Sequence, residues 1–228
     1  MLSPVVFIAL LAGIMPALLW LSFWLLEDRT HPEPKRYIFF TFVAGMLVVA
    51  LVLPLERLAV GFVSGFQLLF LWALAEEVFK FGAAYLVALH SRQFDEPVDG
   101  IVYMVTVALG FAAAENALFL LHPLGQGNVL QSIITGDLRF IGATLLHTLS
   151  SATIGVALAV SFRKQLSTRI VAATGGVILA VVLHALFNFF ILRAGGGATF
   201  WIFLVIWLGI IALLLGVERV KRPVETYV

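Results

Sequence analysis

The stretch AVGFVSGFQLLFLWALAEEVFKFGAAYLVAL, residues 59–89, decides the fold of this chain. It is 31 residues long, and its charged residues are Glu76, Glu77 and Lys80. A helix needs about 20 apolar residues to cross about 30 Å of hydrocarbon. The run therefore suits one tilted helix, one helix with an interfacial lead-in, or two short helices. In each case it predicts a membrane helix with ionisable side chains at depth.

The composition of the whole chain agrees with a membrane location. Of its 228 residues, 62% are hydrophobic and 12% are charged, against roughly 45–50% and 25% in soluble domains. The mean hydropathy is +1.08, so there is too little polar sequence to cover a water-facing surface. Soluble, disordered and fibrous classes are excluded. A net charge of +1 favours no nucleic-acid partner, and without cysteine any metal must be held by His and carboxylate.

Similar apolar runs recur along the chain, and no separate soluble domain is expected. We predict an all-α, polytopic transmembrane helical bundle of about seven to eight spans, forming a single integral membrane domain over residues 1–228. The connection at residues 122–137 is predicted to be a loop, because Pro123, Gly125, Gly127 and Asn128 are loop formers. The predicted spans lie near residues 2–26, 37–53, 59–89, 98–121, 138–162, 170–192 and 199–217.

The distribution of basic residues predicts the orientation, because cytoplasmic loops carry an excess of Lys and Arg. If residues 59–89 cross once, ten basic residues lie on one face and three on the other, with Lys80 inside the membrane. Two crossings give a weaker split, so the single crossing is preferred. It puts the N-terminus outside and the C-terminus in the cytoplasm. The ten are Arg29, Lys35, Arg36, Arg92, Arg163, Lys164, Arg169, Arg219, Lys221 and Arg222, and the three are Arg57, Arg139 and Arg193.

Ionisable side chains deep in a span are costly and usually have a function. Outside the stretch quoted above, the predicted spans contain Glu115, His147 and His184 at depth. At 1.5 Å per residue, all three lie about 9–14 Å below the outer boundary. We therefore expect groups from three helices to share one layer. Glu76 and Glu77 join this layer if the first residues of their run lie along the outer interface.

This set of side chains has the chemistry of a hydrolytic centre. His and carboxylate are ligands of Zn²⁺, and a catalytic zinc site keeps three protein ligands and one open position. Such a site polarises a carbonyl and supplies hydroxide, and a spare glutamate then acts as general base. The spacing alone also allows a structural interpretation. Glu76 or Glu77 would form a buried ion pair with Lys80, and His147 would form hydrogen bonds between helices.

Several motifs in chain order resemble those of the PrsW-type intramembrane proteases, a branch of the superfamily that holds the type II CAAX prenyl endopeptidases and bacteriocin-processing enzymes. AEEVFK at residues 75–80 resembles the EExxK motif, and GFAAAEN at residues 110–116 matches FxxxE followed by Asn. HTLSS at residues 147–151 and HALFN at residues 184–188 are similar to the third and fourth motifs. DEPVDGIVY at residues 95–103 resembles the stretch before the second motif.

The resemblance implies a CAAX-protease-like core that hydrolyses a peptide bond within or near the membrane, by metal- or glutamate-activated water. Glu76 or Glu77 would activate the water. Asn188 would orient His184 or donate to the developing oxyanion. Zinc is the implied metal. The residues that would bind it, or position the water, are Glu115, His147 and His184.

The implied partners are the lipid bilayer of a prokaryotic plasma membrane and a membrane-anchored protein substrate. The family's known role makes an anti-sigma factor one candidate substrate. CAAX-type relatives have His where this chain has Glu115, so a CAAX substrate does not follow.

Two other function classes stay open at this point. A non-catalytic scaffold of the same superfamily would bind other membrane proteins through helix faces and would tolerate loss of the carboxylates. A proton-coupled transporter would use the same carboxylates and imidazoles as a relay. The transporter hypothesis also expects inverted repeats and discontinuous helices in both halves, and no such symmetry is evident in the sequence.

Overall fold

The computed structural model describes residues 3–27, 31–194 and 197–221, and this part of the chain is helical without strands. The prediction of an all-α membrane bundle is confirmed. Arg29 and Arg222, which contribute to the charge count, lie outside the described residues. The helices are α1 (Pro4–Glu27), α2 (Lys35–Val60), α3 (Gly65–Ala84) with a π-helical turn (Tyr85–Leu89), α4 (Asp99–Gly125), α5 (Val129–Leu138) with a second π-helical turn (Arg139–Ala143), α6 (Thr144–Ser161), α7 (Leu166–Arg193) and α8 (Gly197–Lys221).

Six helical segments in the described ranges are long and apolar enough to cross a membrane. They are α1, α2, α4, the continuous segment from α5 to α6, α7 and α8. The protein is therefore an integral membrane protein. Helix α3 differs from these six because it carries Glu76, Glu77 and Lys80. With its π-helical turn it extends over 25 residues, which is about 37 Å.

The structure divides the run at residues 59–89 between two helices. Helix α2 continues past Pro54 to Val60, and α3 begins at Gly65 after a short turn. Gly65 has φ +61°, a backbone conformation that glycine adopts without steric cost. The run is longer than one span because it also contains the end of α2 and the turn that connects α2 to the antiparallel α3.

The prediction of a loop at residues 122–137 is wrong. Helix α4 continues through Pro123 to Gly125, and the connection is reduced to residues 126–128. Pro123 removes one backbone hydrogen bond from α4, and the helix ends two residues later, at Gly125. The side chain of Asn128 accepts a hydrogen bond from the backbone N–H of Gln131 at 3.0 Å, so it acts as the N-cap of α5.

Helix α4 forms the centre of the bundle and packs against α1, α2 and α6. Residues 98–113 are all buried, as expected for a helix that is apolar on every side. Close contact with α2 depends on Gly45 and Gly110. A Cβ atom at Gly110 would collide with the carbonyl oxygen of Phe42, and one at Gly45 with that of Val107. This packing fixes the axial position of α4 against α2. It therefore also fixes the depth at which Glu115, in the next turn, contacts the neighbouring helices.

Candidate active site

Four helices contribute ionisable side chains to one buried cluster. Glu76, Glu77 and Lys80 come from α3, His147 from α6 and His184 from α7, and each is at most 5% exposed. Glu115 joins them from α4 with 21% of its side chain exposed. Burying this many ionisable groups is costly unless they are paired and hydrogen-bonded, so the pattern of pairs defines what the cluster can do. The structure brings together the five Glu and His residues that the sequence places in one layer.

The carboxylate of Glu77 is held by three partners. The ammonium of Lys80 donates to Oε1 at 2.6 Å, and the hydroxyl of Ser151 donates to Oε2 at 2.7 Å. His184 Nδ1 lies 2.9 Å from the same Oε1. An ionised carboxylate only accepts hydrogen bonds, so His184 carries its proton on Nδ1. Its Nε2 lone pair is left free, and Glu77 orients this ring.

His147 is held in the opposite tautomer. Its Nε2 lies 2.9 Å from Glu115 Oε2, and its Nδ1 lies 3.1 Å from Lys80 Nζ. A lysine ammonium only donates, so Nδ1 must accept and the proton must be on Nε2, where it is donated to Glu115. Each of the two imidazoles is thus oriented by its own carboxylate.

The two imidazole lone pairs converge on Glu76. Its Oε2 lies 3.7 Å from His147 Nδ1 and 3.8 Å from His184 Nε2. The same oxygen is 3.7 Å from Lys80 Nζ and is buried with no hydrogen-bond partner in the described part of the chain. The two rings are 4.9 Å apart, centroid to centroid. A buried carboxylate oxygen without a partner among the described residues, next to two unprotonated imidazole nitrogens, has the donor set of a cation site.

Among the described residues, one group of His and acidic side chains has the geometry to hold a metal ion, namely Glu76, His147 and His184, whose ligand atoms lie within 4.8 Å of one another. This set differs from the predicted one, because Glu115 lies behind His147. The donors fit zinc, and each histidine gives its second N–H to a carboxylate, as metal-bound histidines usually do. Lys80 opposes binding, because its ammonium occupies the lone pair of His147 Nδ1.

Asn188 lies outside this network. It is half-buried one turn beyond His184, and its side chain has no hydrogen-bond partner in the described ranges. The orientation of His184, for which Asn188 is a candidate in the sequence, comes from Glu77.

Sequence reasoning missed Arg139, which it counted among the basic residues of the outer face. Arg139 begins the π-helical turn before α6, and its guanidinium pairs with Glu115. Its Nε donates to Asn116 Oδ1 at 2.6 Å, and it lies 3.9 Å from the ring centroid of Phe119. The sequence contains one signal that could have identified Arg139, namely its spacing from His147. Arg139 precedes His147 by eight residues, which is about two helical turns and places both on one face.

Sequence reasoning also missed Glu56, because the predicted second span ended at residue 53. Glu56 lies on α2, and its side chain is close enough to that of Glu76 to interact with it. Trp72 Nε1 donates to its backbone carbonyl at 3.1 Å. A cavity of about 400 Å³ adjoins it between α2 and α3, with otherwise apolar or aromatic walls. The lining residues are Leu55, Glu56, Ala59, Leu71, Trp72, Leu74, Ala75 and Val78.

A helical membrane bundle with a buried histidine–carboxylate centre has the architecture of a membrane-embedded enzyme. Comparison with known sequences identifies the family within this class. The family described as PrsW family intramembrane metalloprotease matches residues 33–215. The chain belongs to this family, which confirms the resemblance found in its motifs.

Individual relatives agree with the family match. The chain is 30% identical to the protease PrsW of Oceanobacillus iheyensis over 94% of its own length and 95% of that protein. It is 26% identical to the protease PrsW of Bacillus subtilis over 92% and 93%, respectively. A match at 36% identity to the protease PrsW of Geobacillus kaustophilus covers 48% of the chain and 51% of that protein. No solved structure matches the chain.

Proposed function

We propose that the protein is an intramembrane protease that uses zinc held by Glu76, His147 and His184 to hydrolyse a peptide bond of a membrane-anchored protein. The observation that carries this proposal is Glu76 Oε2, which has no hydrogen-bond partner in the described part of the chain and lies 3.7–3.8 Å from the unprotonated nitrogens of two oppositely oriented imidazoles. A zinc ion held by these residues would supply Lewis acidity for a substrate carbonyl and a water molecule.

The other residues have supporting roles in this proposal. Glu77 and Glu115 each hold one histidine in the tautomer that leaves a lone pair towards Glu76. Glu56 lies beside Glu76 at the cavity between α2 and α3. That cavity suits an apolar substrate segment, because its walls are otherwise apolar or aromatic. An anti-sigma factor with a membrane anchor is one candidate for the substrate.

We also place the protein in a prokaryotic plasma membrane, with the N-terminus outside and the C-terminus in the cytoplasm. The relatives compared above come from bacteria. Arg92, Arg163, Lys164 and Arg169 lie on the connections or helix ends at one end of the bundle. Such an excess of basic residues favours the cytoplasmic side.

The zinc content of the purified protein tests the proposed ligand set. We expect near-stoichiometric zinc in the wild type and its loss in Glu76→Gln, His147→Gln and His184→Gln. His122→Gln is the matched control, because His122 is exposed at the end of α4. If Glu115→Gln lost zinc while Glu76→Gln kept it, the ligand set inferred from the sequence would replace the one proposed here.

Cleavage of a single-span membrane reporter protein tests the activity. Glu76→Gln is expected to abolish cleavage with the fold intact. A wild type that cleaves without any metal would leave water activated by glutamate alone as the mechanism. A non-catalytic scaffold would show neither cleavage nor sensitivity to this substitution.

A further inference from the structure

Arg139 occupies an unusual position for a basic residue in a membrane protein. It lies where α5 passes into α6 through a π-helical turn, and only 15% of its side chain is exposed. Arginine this far from water is costly without an acidic partner. Its guanidinium pairs with Glu115, and its Nε donates to Asn116 Oδ1 at 2.6 Å. The guanidinium is therefore bound by two consecutive residues of α4.

This arrangement is fixed by further contacts. Asn116 Nδ2 donates to Thr144 Oγ1 at 3.0 Å, which ties α4 to the first turn of α6. The guanidinium also lies over the ring of Phe119, with 3.9 Å to the centroid. A planar guanidinium with donors in a fixed fork keeps its partner in one orientation better than a lysine does. Glu115 is consequently presented to His147 in a single orientation.

The contacts form a continuous path to the centre of the site. Arg139 and His147 Nε2 both contact the same oxygen of Glu115, Oε2. Glu115 accepts a hydrogen bond from Nε2–H, so Nδ1 of the same ring carries the lone pair and lies 3.7 Å from Glu76 Oε2. If Glu115 turned away, Nε2–H would lose its acceptor, and this ring would be held through Nδ1 by Lys80 alone. The orientation of the ligand atom thus depends on a residue that does not touch the centre.

We propose that Arg139 is a positioning residue of this enzyme, which acts through Glu115 to hold His147 Nδ1 ready for a metal ion. This inference rests on the proposed function, because it concerns the same centre. It assigns Arg139 no contact with substrate or metal.

The first test measures zinc affinity by competition with a chromophoric chelator. Arg139→Gln is expected to weaken zinc binding about 10–100-fold, the usual effect of losing a group that orients a metal ligand. Arg139→Lys keeps the charge but loses the fork, so it should recover part of the affinity. Arg193→Gln is the matched control, because Arg193 is exposed over the ring of Phe189 at 4.0 Å. Equal affinity in wild type and Arg139→Gln would overturn the inference.

A double-mutant cycle tests the path through Glu115. If Arg139 acts through this carboxylate, Arg139→Gln combined with Glu115→Gln should bind zinc no more weakly than Glu115→Gln alone. Additive losses would mean that Arg139 acts independently, for example through the helix packing, and would overturn the inference.

The second test needs no metal and therefore separates this inference from the proposed function. ¹⁵N spectra of the five histidines, recorded in metal-free protein at about pH 8 where an ordinary imidazole is neutral, report the tautomer of each ring. His147→Gln identifies the relevant signal. We expect the Nε2–H form in every variant, because the Lys80 ammonium donates to Nδ1. The Nε2–H signal should keep its position in Arg193→Gln and move in Arg139→Gln, because the hydrogen bond to Glu115 changes.

The outcomes of the two tests are distinguishable. An unchanged Nε2–H signal in Arg139→Gln would overturn the inference even if the wild type binds zinc. A wild type without zinc affinity but with an Nε2–H signal that depends on Arg139 would overturn the metal site alone. If Arg139→Gln does not fold, the Nε2–H signal in Arg139→Lys decides in the same way.

Discussion

At the scale of single residues, two adjacent buried serines on α6 differ in the hydrogen bonding of their hydroxyl groups. Ser151 Oγ donates to Glu77 Oε2 at 2.7 Å, whereas the equally buried Ser150 Oγ has no partner in the described part of the chain. Losing a hydrogen bond to a buried charge costs about 1.5–3 kcal/mol, so Ser151→Ala should lower the free energy of unfolding by that amount. Ser150→Ala should leave it unchanged or raise it. Unfolding titrations in mixed micelles measure both, and equal effects would contradict the assignment.

Lys80 forms a fully buried ion pair with Glu77. Lys80→Met leaves Glu77 buried without its cation, and breaking a buried pair in this way costs about 3–5 kcal/mol. The same substitution frees the lone pair of His147 Nδ1, so added zinc should restore part of the lost stability through binding to the folded state. Unfolding titrations with and without zinc measure this.

The control for Lys80→Met is Lys164→Met, which changes an exposed lysine and should shift stability by less than about 0.5 kcal/mol. If zinc failed to stabilise Lys80→Met more than the wild type, Lys80 would not compete with the metal.

The sequence could predict which residues meet at the site but not how they are paired. Motif spacing and depth select Glu76, Glu77, Glu115, His147 and His184, and these do lie together. Adjacent positions on a helix point about 100° apart, so the pattern cannot decide which glutamate of α3 faces the centre. That depends on the rotation of α3 against α6 and α7, which tertiary packing sets.

At the scale of whole helices, the contact between α2 and α4 has no room for side chains at its glycines. Gly110→Ala would place a Cβ atom against the carbonyl oxygen of Phe42, and such overpacking costs about 1–3 kcal/mol. Because Glu115 lies little more than one turn further along α4, zinc affinity should fall as well. Unfolding titrations and zinc competition measure the two effects.

Gly175→Ala is the control for that prediction. Gly175 is an exposed position of α7 with nothing within 4 Å of its Cβ direction, so alanine there should be neutral or stabilise by up to about 1 kcal/mol. A loss of stability at Gly175 as large as that at Gly110 would mean that helix contact is not the cause.

Helix ends were less predictable than helices. Apolar runs indicate where a helix exists, but the ends depend on single capping residues and on backbone conformation. Asn128 illustrates this, because the same residue that reads as a loop former caps α5 through the Gln131 N–H. The π-helical turn that places Arg139 against α4 has no signature in the pattern of apolar residues.

At the scale of the whole molecule, the proposed orientation can be tested by labelling, because the chain has no cysteine. Gln126→Cys places a thiol on the α4–α5 connection, and Arg92→Cys places one before α4 at the opposite end of that helix. Both positions are exposed. A membrane-impermeant maleimide should label Gln126→Cys in intact cells and Arg92→Cys only after lysis. The reverse pattern would invert the orientation.

The division of the cluster among α3, α4, α6 and α7 also has a consequence for biosynthesis. Glu76 and Glu77 leave the ribosome long before His184, which follows Glu77 by 107 residues and belongs to α7. Until α7 has inserted, Glu77 lacks the imidazole that it orients and Glu76 faces a single histidine. The growing chain therefore lacks a complete centre until α7 has been made. The membrane is exposed to the chemistry of the centre only after α3, α4, α6 and α7 are all in place.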